Sequence, residues 1–114
     1  MIEIEAVKES YLLVNGRRIT TPDSHSTVAK AVADAFGITP DDLKKKGSEV
    51  PFSPARKIYV YLLVKMFGYK YEYISRLTDV NIGNITHYVN QVERSLRRKD
   101  MYMILKLENV FELL

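Results

Sequence analysis

Helix punctuation is what most constrains this chain. From Ser24 onward one pattern recurs, a Ser, Thr, Asn or Asp cap followed by an apolar stretch at helical spacing, often closed by a glycine. "SHSTVAKAVADAFG" opens on a Ser cap, spaces Val28, Ala31, Val32, Ala35 and Phe36 for one face, and stops at Gly37. "ITPDDLKKKG" predicts a short second helix, with Thr39 as cap, Pro40 at the first helical position, and Asp41 and Asp42 at the positive end of the dipole. "SPARKIYVYLLVKMFG" repeats the pattern after the loop "SEVPF", with Ser53 as cap, Pro54 just inside, Gly68 beyond the end, and Ile58, Tyr61, Leu62 and Met66 on the buried face. "YKYEYISRL" is a shorter helix anchored by Tyr71, Ile74 and Leu77; "TDVN" is a turn; Asn81 caps the helix that follows. Asp100 caps a last helix, "MYMILKLENVFELL", packed through Ile104, Leu107, Phe111 and Leu114. Stops this frequent permit only short helices with tight connections. The fold is expected to be mainly α.

The residues before Ser24 follow a different period. "IEIEAV" alternates apolar and acidic residues, as a half-buried strand does, and "SYLLVNGRRIT" sets Asn15-Gly16 between two strand-like runs. Asn-Gly is the strongest short hairpin signal because both residues tolerate positive φ. The expectation is a small hairpin or three-stranded meander over residues 1–23, closed by the turn at Thr21-Pro22-Asp23 and packed on a helical domain at 24–114, with a frayed arm as the alternative.

The helix after Asn81 poses the functional question. Ile85, Val89, Val92 and Leu96 fall 4, 3 and 4 residues apart and form one apolar stripe. The opposite face carries Asn84, His87, Gln91, Arg94 and Arg98, with no carboxylate among them. A face that is merely solvated usually mixes Glu with Lys. Amides can pair with adenine edges and guanidinium with guanine or phosphate, so this face suits nucleic acid. A short helix, a tight turn and a longer basic helix form a helix-turn-helix pattern.

Charge supports that reading. The net charge of the 114 residues is only +3, yet residues 44–99 hold 12 Lys and Arg against 4 carboxylates, a local balance of +8. A basic tract between acidic ends points to a polyanionic partner. Other chemistries find little support. Cysteine is absent, which removes disulfides, thiol chemistry and thiolate-bound metal, and no phosphate-cradling G-x-x-x-x-G-K-[ST] loop exists. His25 reads as a surface residue beside a cap, and His87 has no second ligand at helical spacing. The chain is expected to need no metal or cofactor and to be no enzyme. Without an apolar run of 18 residues or a secretory pattern in "MIEIEAVKES", it reads as a cytoplasmic, nucleoid-associated protein with no membrane contact.

Residues 26–114 resemble the C-terminal DNA-binding domain (domain IV) of the bacterial replication initiator DnaA, a helical fold related to Trp repressor. "VAKAVADAFGITPDDLKKK" is similar to that domain's opening helix and "F-x-I-x-x-x-D-L-x-x-K", "ARKIYVYLL" to its "A-R-Q-I-A-M-Y-L", and "NITHYVNQV" to its "T-V-x-H-A-x-x-K-I". The resemblance places Arg56 on the family arginine that reaches into the DNA minor groove, its side chain outward, and puts Lys57 where the family has glutamine. It also implies departures. The family's base-reading "R-D-H-T-T" falls on Val80, Asn81, Ile82, Gly83 and Asn84, so Asn81 can still cap while the Arg, His and both Thr are gone. The resemblance thus implies the scaffold and its phosphate grip, without recognition of the standard initiator box.

The site expected from the sequence comprises Lys45, Arg56, Lys57, Asn81, Ile82, Asn84, His87, Gln91, Arg94 and Arg98, gripping double-stranded DNA for a role in replication or transcription. The alternative is a protein-interaction adaptor that keeps the fold without base readout. Tyr59, Tyr61, Tyr69, Tyr71 and Tyr73 cluster and read first as core and half-buried packing; in the adaptor reading they would supply an aromatic surface for a protein partner, or for single-stranded nucleic acid.

Overall fold

The structure, a computed structural model, describes residues 2–8, 11–47 and 49–114. Ser10, which opens the second expected strand, and Ser48, in the expected "SEVPF" loop, lie outside the described residues. Three strands, β1 (Ile4–Lys8), β2 (Tyr11–Val14) and β3 (Arg17–Thr20), form an antiparallel sheet in the order β1-β2-β3. Asn15 and Gly16 both have positive φ, 53° and 79°, which is the twist a two-residue hairpin turn needs. Asn15 also receives the backbone N–H of Glu3 on its side-chain oxygen at 2.7 Å, holding the turn against β1. Leu12, Val14 and Ile19 turn inward and join the same core as the helices, whereas Arg17, Arg18 and Thr20 stay outside. The Thr21 hydroxyl donates to the Met66 carbonyl, fastening the end of the sheet to the third helical segment.

The helical part is α1 (His25–Phe36), a 3₁₀ turn (Pro40–Lys44), α2 (Phe52–Phe67), α3 (Tyr71–Thr78), α4 (Ile82–Arg97) and α5 (Met101–Leu113). Ser24 caps α1 through Ser26 N at 3.2 Å, and Gly37 ends it in the left-handed region at φ 70°, with Ile38 N bonded back to Ala33 O. The expected second helix is only a 3₁₀ turn. Thr39 and Asp42 form its reciprocal capping box, but Lys45 leaves in an extended conformation, so Lys45 and Lys46 lie beyond the turn. Asp100 caps α5 as expected, through Met103 N at 3.3 Å.

Two expectations about α2 need correcting. Ser53 is not its cap: the helix takes in Phe52, and Ser53 N already donates to Glu49 O at 2.8 Å. The buried face is also much wider than Ile58, Tyr61, Leu62 and Met66. Ala55, Arg56, Tyr59, Val60 and Leu63 are buried as well, because α2 runs through the centre of the molecule and packs on α4, α1, α3, the 3₁₀ turn and β2. Tyr59 and Tyr61 are therefore core residues. Tyr69 and Tyr71 are half-buried against that core and Tyr73 is exposed, with Tyr69 stacked on Phe67 and meeting Tyr73 edge-on. Among the described residues no helix is long and apolar enough to cross a membrane.

Candidate nucleic-acid interface

Helix α4 follows α3 after the three residues Asp79–Asn81. Asp79 ends α3 in the left-handed region at φ 58°, and its N–H bonds to Ser75 O at 2.9 Å, which turns the chain sharply. Asn81 then caps α4, its side-chain oxygen accepting from Asn84 N at 2.9 Å. Ile85, Val89, Val92 and Leu96 are all buried and fix the roll of α4 about its axis. Removing the side chain of a fully buried residue such as Ile85 costs about 2–5 kcal/mol, so this roll is strongly held. The consequence lies on the other side. Ile82, Asn84, His87, Arg94 and Arg98 are exposed, Gln91 is half-buried, and no carboxylate stands on that ridge. Glu93 sits on a flank, 4.0 Å from Lys65.

Two clefts border the ridge. The first, of about 480 Å³, lies between the loop after the 3₁₀ turn and the α3–α4 connection, where Lys44, Lys46 and Arg56 face Asp79, Asn81, Asn84 and Tyr88. The second, of about 400 Å³, lies between the start of α2 and the later turns of α4, where Lys57, Gln91, Arg94 and Arg98 meet Val50 and Tyr102. Tyr88 belongs to the first and Lys57 to the second, with the ammonium 5.8 Å from the ring centroid.

Arg56 is the main correction to the expected site. It does not project outward; it is only 6% exposed. Its guanidinium donates to the carbonyls of Lys45 and Gly47, the latter at 2.7 Å, and its Nε lies 3.4 Å from the Tyr88 hydroxyl. A buried cation must recover the solvation it loses, and two loop carbonyls in range of a planar fork supply it. The residue therefore shapes the basic loop and is not free to enter a minor groove. Lys45 is likewise engaged, 3.0 Å from Asp42 and 4.6 Å from the Phe52 ring centroid. That contact helps to hold the Asp42 carboxyl below its usual range, after the larger effect of the Thr39 backbone N–H. Lys44 and Lys46 are the lysines that line the first cleft.

Sequence reasoning missed Tyr88 and Asp79. Tyr88 lies four residues after Asn84, so helical spacing could have placed it beside the cleft. Among the described residues Asp79 is the one carboxylate lining the first cleft, 3.6 Å from Lys46, and both side chains are well exposed. An exposed pair of this kind contributes little and is readily broken by a competing anion. Gln91 carries a different tension: its Oε1 is buried without a hydrogen-bond partner among the described residues.

No family model, curated protein or solved structure matches the chain. The site has to be read from its own chemistry. Among the described residues no three His, Asp or Glu side chains gather as a metal site would require.

Proposed function

We propose that this protein binds double-stranded DNA, with α3, the Asp79–Asn81 turn and α4 serving as a helix-turn-helix of the DnaA C-terminal, Trp repressor-like kind. The observation that carries the reading is the exposed ridge of α4, which presents amide, imidazole and guanidinium groups without a carboxylate while its other face is locked in the core. An α-helix fits the major groove, where those groups find base-edge partners. Lys44 and Lys46 on one side and Lys57, Arg94 and Arg98 on the other supply phosphate contacts. Beyond Lys57 and the altered reading turn, the proposed grip differs from the family's at Arg56, which organises the lysine loop, so that the minor-groove contact is dropped. A module of this kind serves regulation of transcription or of replication.

The test is a titration of duplex binding against salt. Five phosphate contacts predict a log–log slope of about −4 to −5. Duplex affinity should exceed that for single strands of equal length. No duplex binding at low salt sinks the proposal and leaves the adaptor reading, which the 45% exposure of Ile82 at the head of α4 would then favour.

A further inference from the structure

Where α5 begins, an apolar surface is left uncovered beside a cationic cleft. Met101 and Leu105, one turn apart on the outer face of α5, are 59% and 53% exposed, and Tyr102 between them is 41% exposed. Val50, from the loop before α2, is 69% exposed and lines the second cleft together with Tyr102. Single exposed apolar residues are ordinary, but Val50 and Tyr102 on one cleft, with Met101 and Leu105 flanking Tyr102 along α5, mark an interaction surface. Tyr102 is also held in position: Phe36 meets its ring edge-on at 6.2 Å, and the Lys106 ammonium lies 5.7 Å from its centroid while donating to Ala35 O at 3.0 Å. A fixed aromatic ring is the low-entropy kind of anchor that interfaces use.

The charge at the border selects the occupant. Lys57, Arg94 and Arg98 line the cleft beside Val50 and Tyr102, and Arg97 and Lys99 are exposed next to them in sequence. Among the described residues the one carboxylate lining that cleft, Asp100, caps α5. Beyond Leu105 the same face of α5 carries the exposed Glu108 and Glu112, so the border is basic at the Val50 end alone. Apolar anchors at i and i+4 there complement an amphipathic helix whose acidic residues lie at that end. We propose that this surface docks an acidic amphipathic helix of another protein, its apolar side chains on Val50, Met101, Tyr102 and Leu105 and its carboxylates on Lys57, Arg94 and Arg98. The docking would share Lys57, Arg94 and Arg98 with the proposed phosphate grip and compete with DNA for them. None of its apolar anchors is a proposed DNA contact, so it is tested without DNA.

The experiment pans a displayed library of helical peptides of about 15 residues, matching the roughly 20 Å length of α5, against the whole protein. Counter-selection uses the triple variant Val50→Ser, Met101→Ser, Leu105→Ser, whose positions are exposed and leave the core intact. Enriched peptides are expected to combine apolar residues at i and i+4 with net negative charge. Their affinity, read by fluorescence anisotropy without DNA, should fall about tenfold or more in the triple variant, which is about 1.4 kcal/mol or more, and fall similarly in Arg98→Glu. Failure to enrich such peptides overturns the proposal, as does enrichment of neutral or basic ones. Equal binding to wild type and triple variant also overturns it. So does self-association of the wild type that the triple variant abolishes, because the occupant would then be a second copy.

Discussion

The Nη2 of Arg56 lies 2.7 Å from the carbonyl oxygen of Gly47, so a cation buried in α2 sets the course of the basic loop that precedes it. The groups that solvate it are neutral. Among the described residues no carboxylate closes on the guanidinium, so its positive charge is shared through hydrogen bonds and not cancelled there. It therefore adds to the field of Lys44 and Lys46 at the first cleft although it is hidden from solvent.

Arg56→Ala should consequently be a stability variant first. It leaves the Lys45 and Gly47 carbonyls without their charged donor, at a cost of about 1.5–3 kcal/mol. Arg56→Lys keeps the charge but not the planar fork and should fall between the two. Urea denaturation measures both. Wild-type stability in Arg56→Ala would mean that the loop holds its path without the clamp, and Arg56 would again be open to direct contact with DNA.

That burial was not legible in the sequence, for a physical reason. An arginine after Ala55 and before Ile58 can face either way when apolar residues surround the helix, and α2 has Val60 and Leu63 buried on sides that a one-faced reading assigns to solvent. Periodicity identifies a face only when one side is wet. Helix α4 meets that condition, so Ile85, Val89, Val92 and Leu96 could be read directly from their spacing. The Asn15-Gly16 turn and the caps at Ser24, Thr39, Asn81 and Asp100 were legible too, because each depends on a local hydrogen bond or a local φ. The Ser53 cap failed because a capping residue is no evidence that the helix waits for it. The first cleft depends on how the loop after the 3₁₀ turn meets α2 and the α3–α4 connection, the second on how α2, α4 and α5 meet, and no local pattern encodes either.

Gln91 should separate stability from binding. Its buried, unpartnered Oε1 makes the free protein less stable than an apolar residue of similar length would. Gln91→Met is expected to raise stability by about 1 kcal/mol while weakening binding to a selected duplex, since the amide would otherwise swing out to a base edge. Thermal melting and anisotropy on the same preparation check this. A fall in stability would show that the amide is satisfied in solution.

The core tyrosines predict an alkaline limb of stability. Burial, with smaller contributions from Tyr69 and Tyr73, pushes Tyr59 up to about 12, and burial followed by Glu93 raises Tyr61 as well. In the unfolded chain both phenols ionise near 10. Between pH 10 and 12 the folded state thus holds protons that the unfolded state has lost. Stability is complete below pH 10 and declines as pH rises through that window. Tyrosinate absorbance should show two late-titrating phenols that coincide with unfolding, one fewer in Tyr59→Phe. Ionisation of all tyrosines near pH 10 with the fold intact would contradict the buried positions.

Base reading and phosphate grip should come apart at Asn84 and Arg98. Asn84 is exposed in the first turn of α4, and its backbone N–H is already engaged by the Asn81 cap, so the side-chain amide is left to act outward. Placed in a major groove, that amide can make a bidentate contact to adenine, worth about 1–3 kcal/mol on the cognate site alone. Arg98 lies at the far end of the same helix, in the second cleft with Lys57 and Arg94, where a cation meets the backbone of any sequence. In-vitro selection on the wild type should yield a motif containing an A·T pair. Asn84→Ala should lower affinity for the winning duplex, flatten preference at that pair and leave a scrambled duplex unaffected. Arg98→Ala should weaken winner and scramble equally and reduce the salt slope by about 1. Equal losses on both duplexes from Asn84→Ala would assign it to the phosphate grip. A selection without any motif would leave the protein a non-specific DNA binder, held by Lys44, Lys46, Lys57, Arg94 and Arg98 alone.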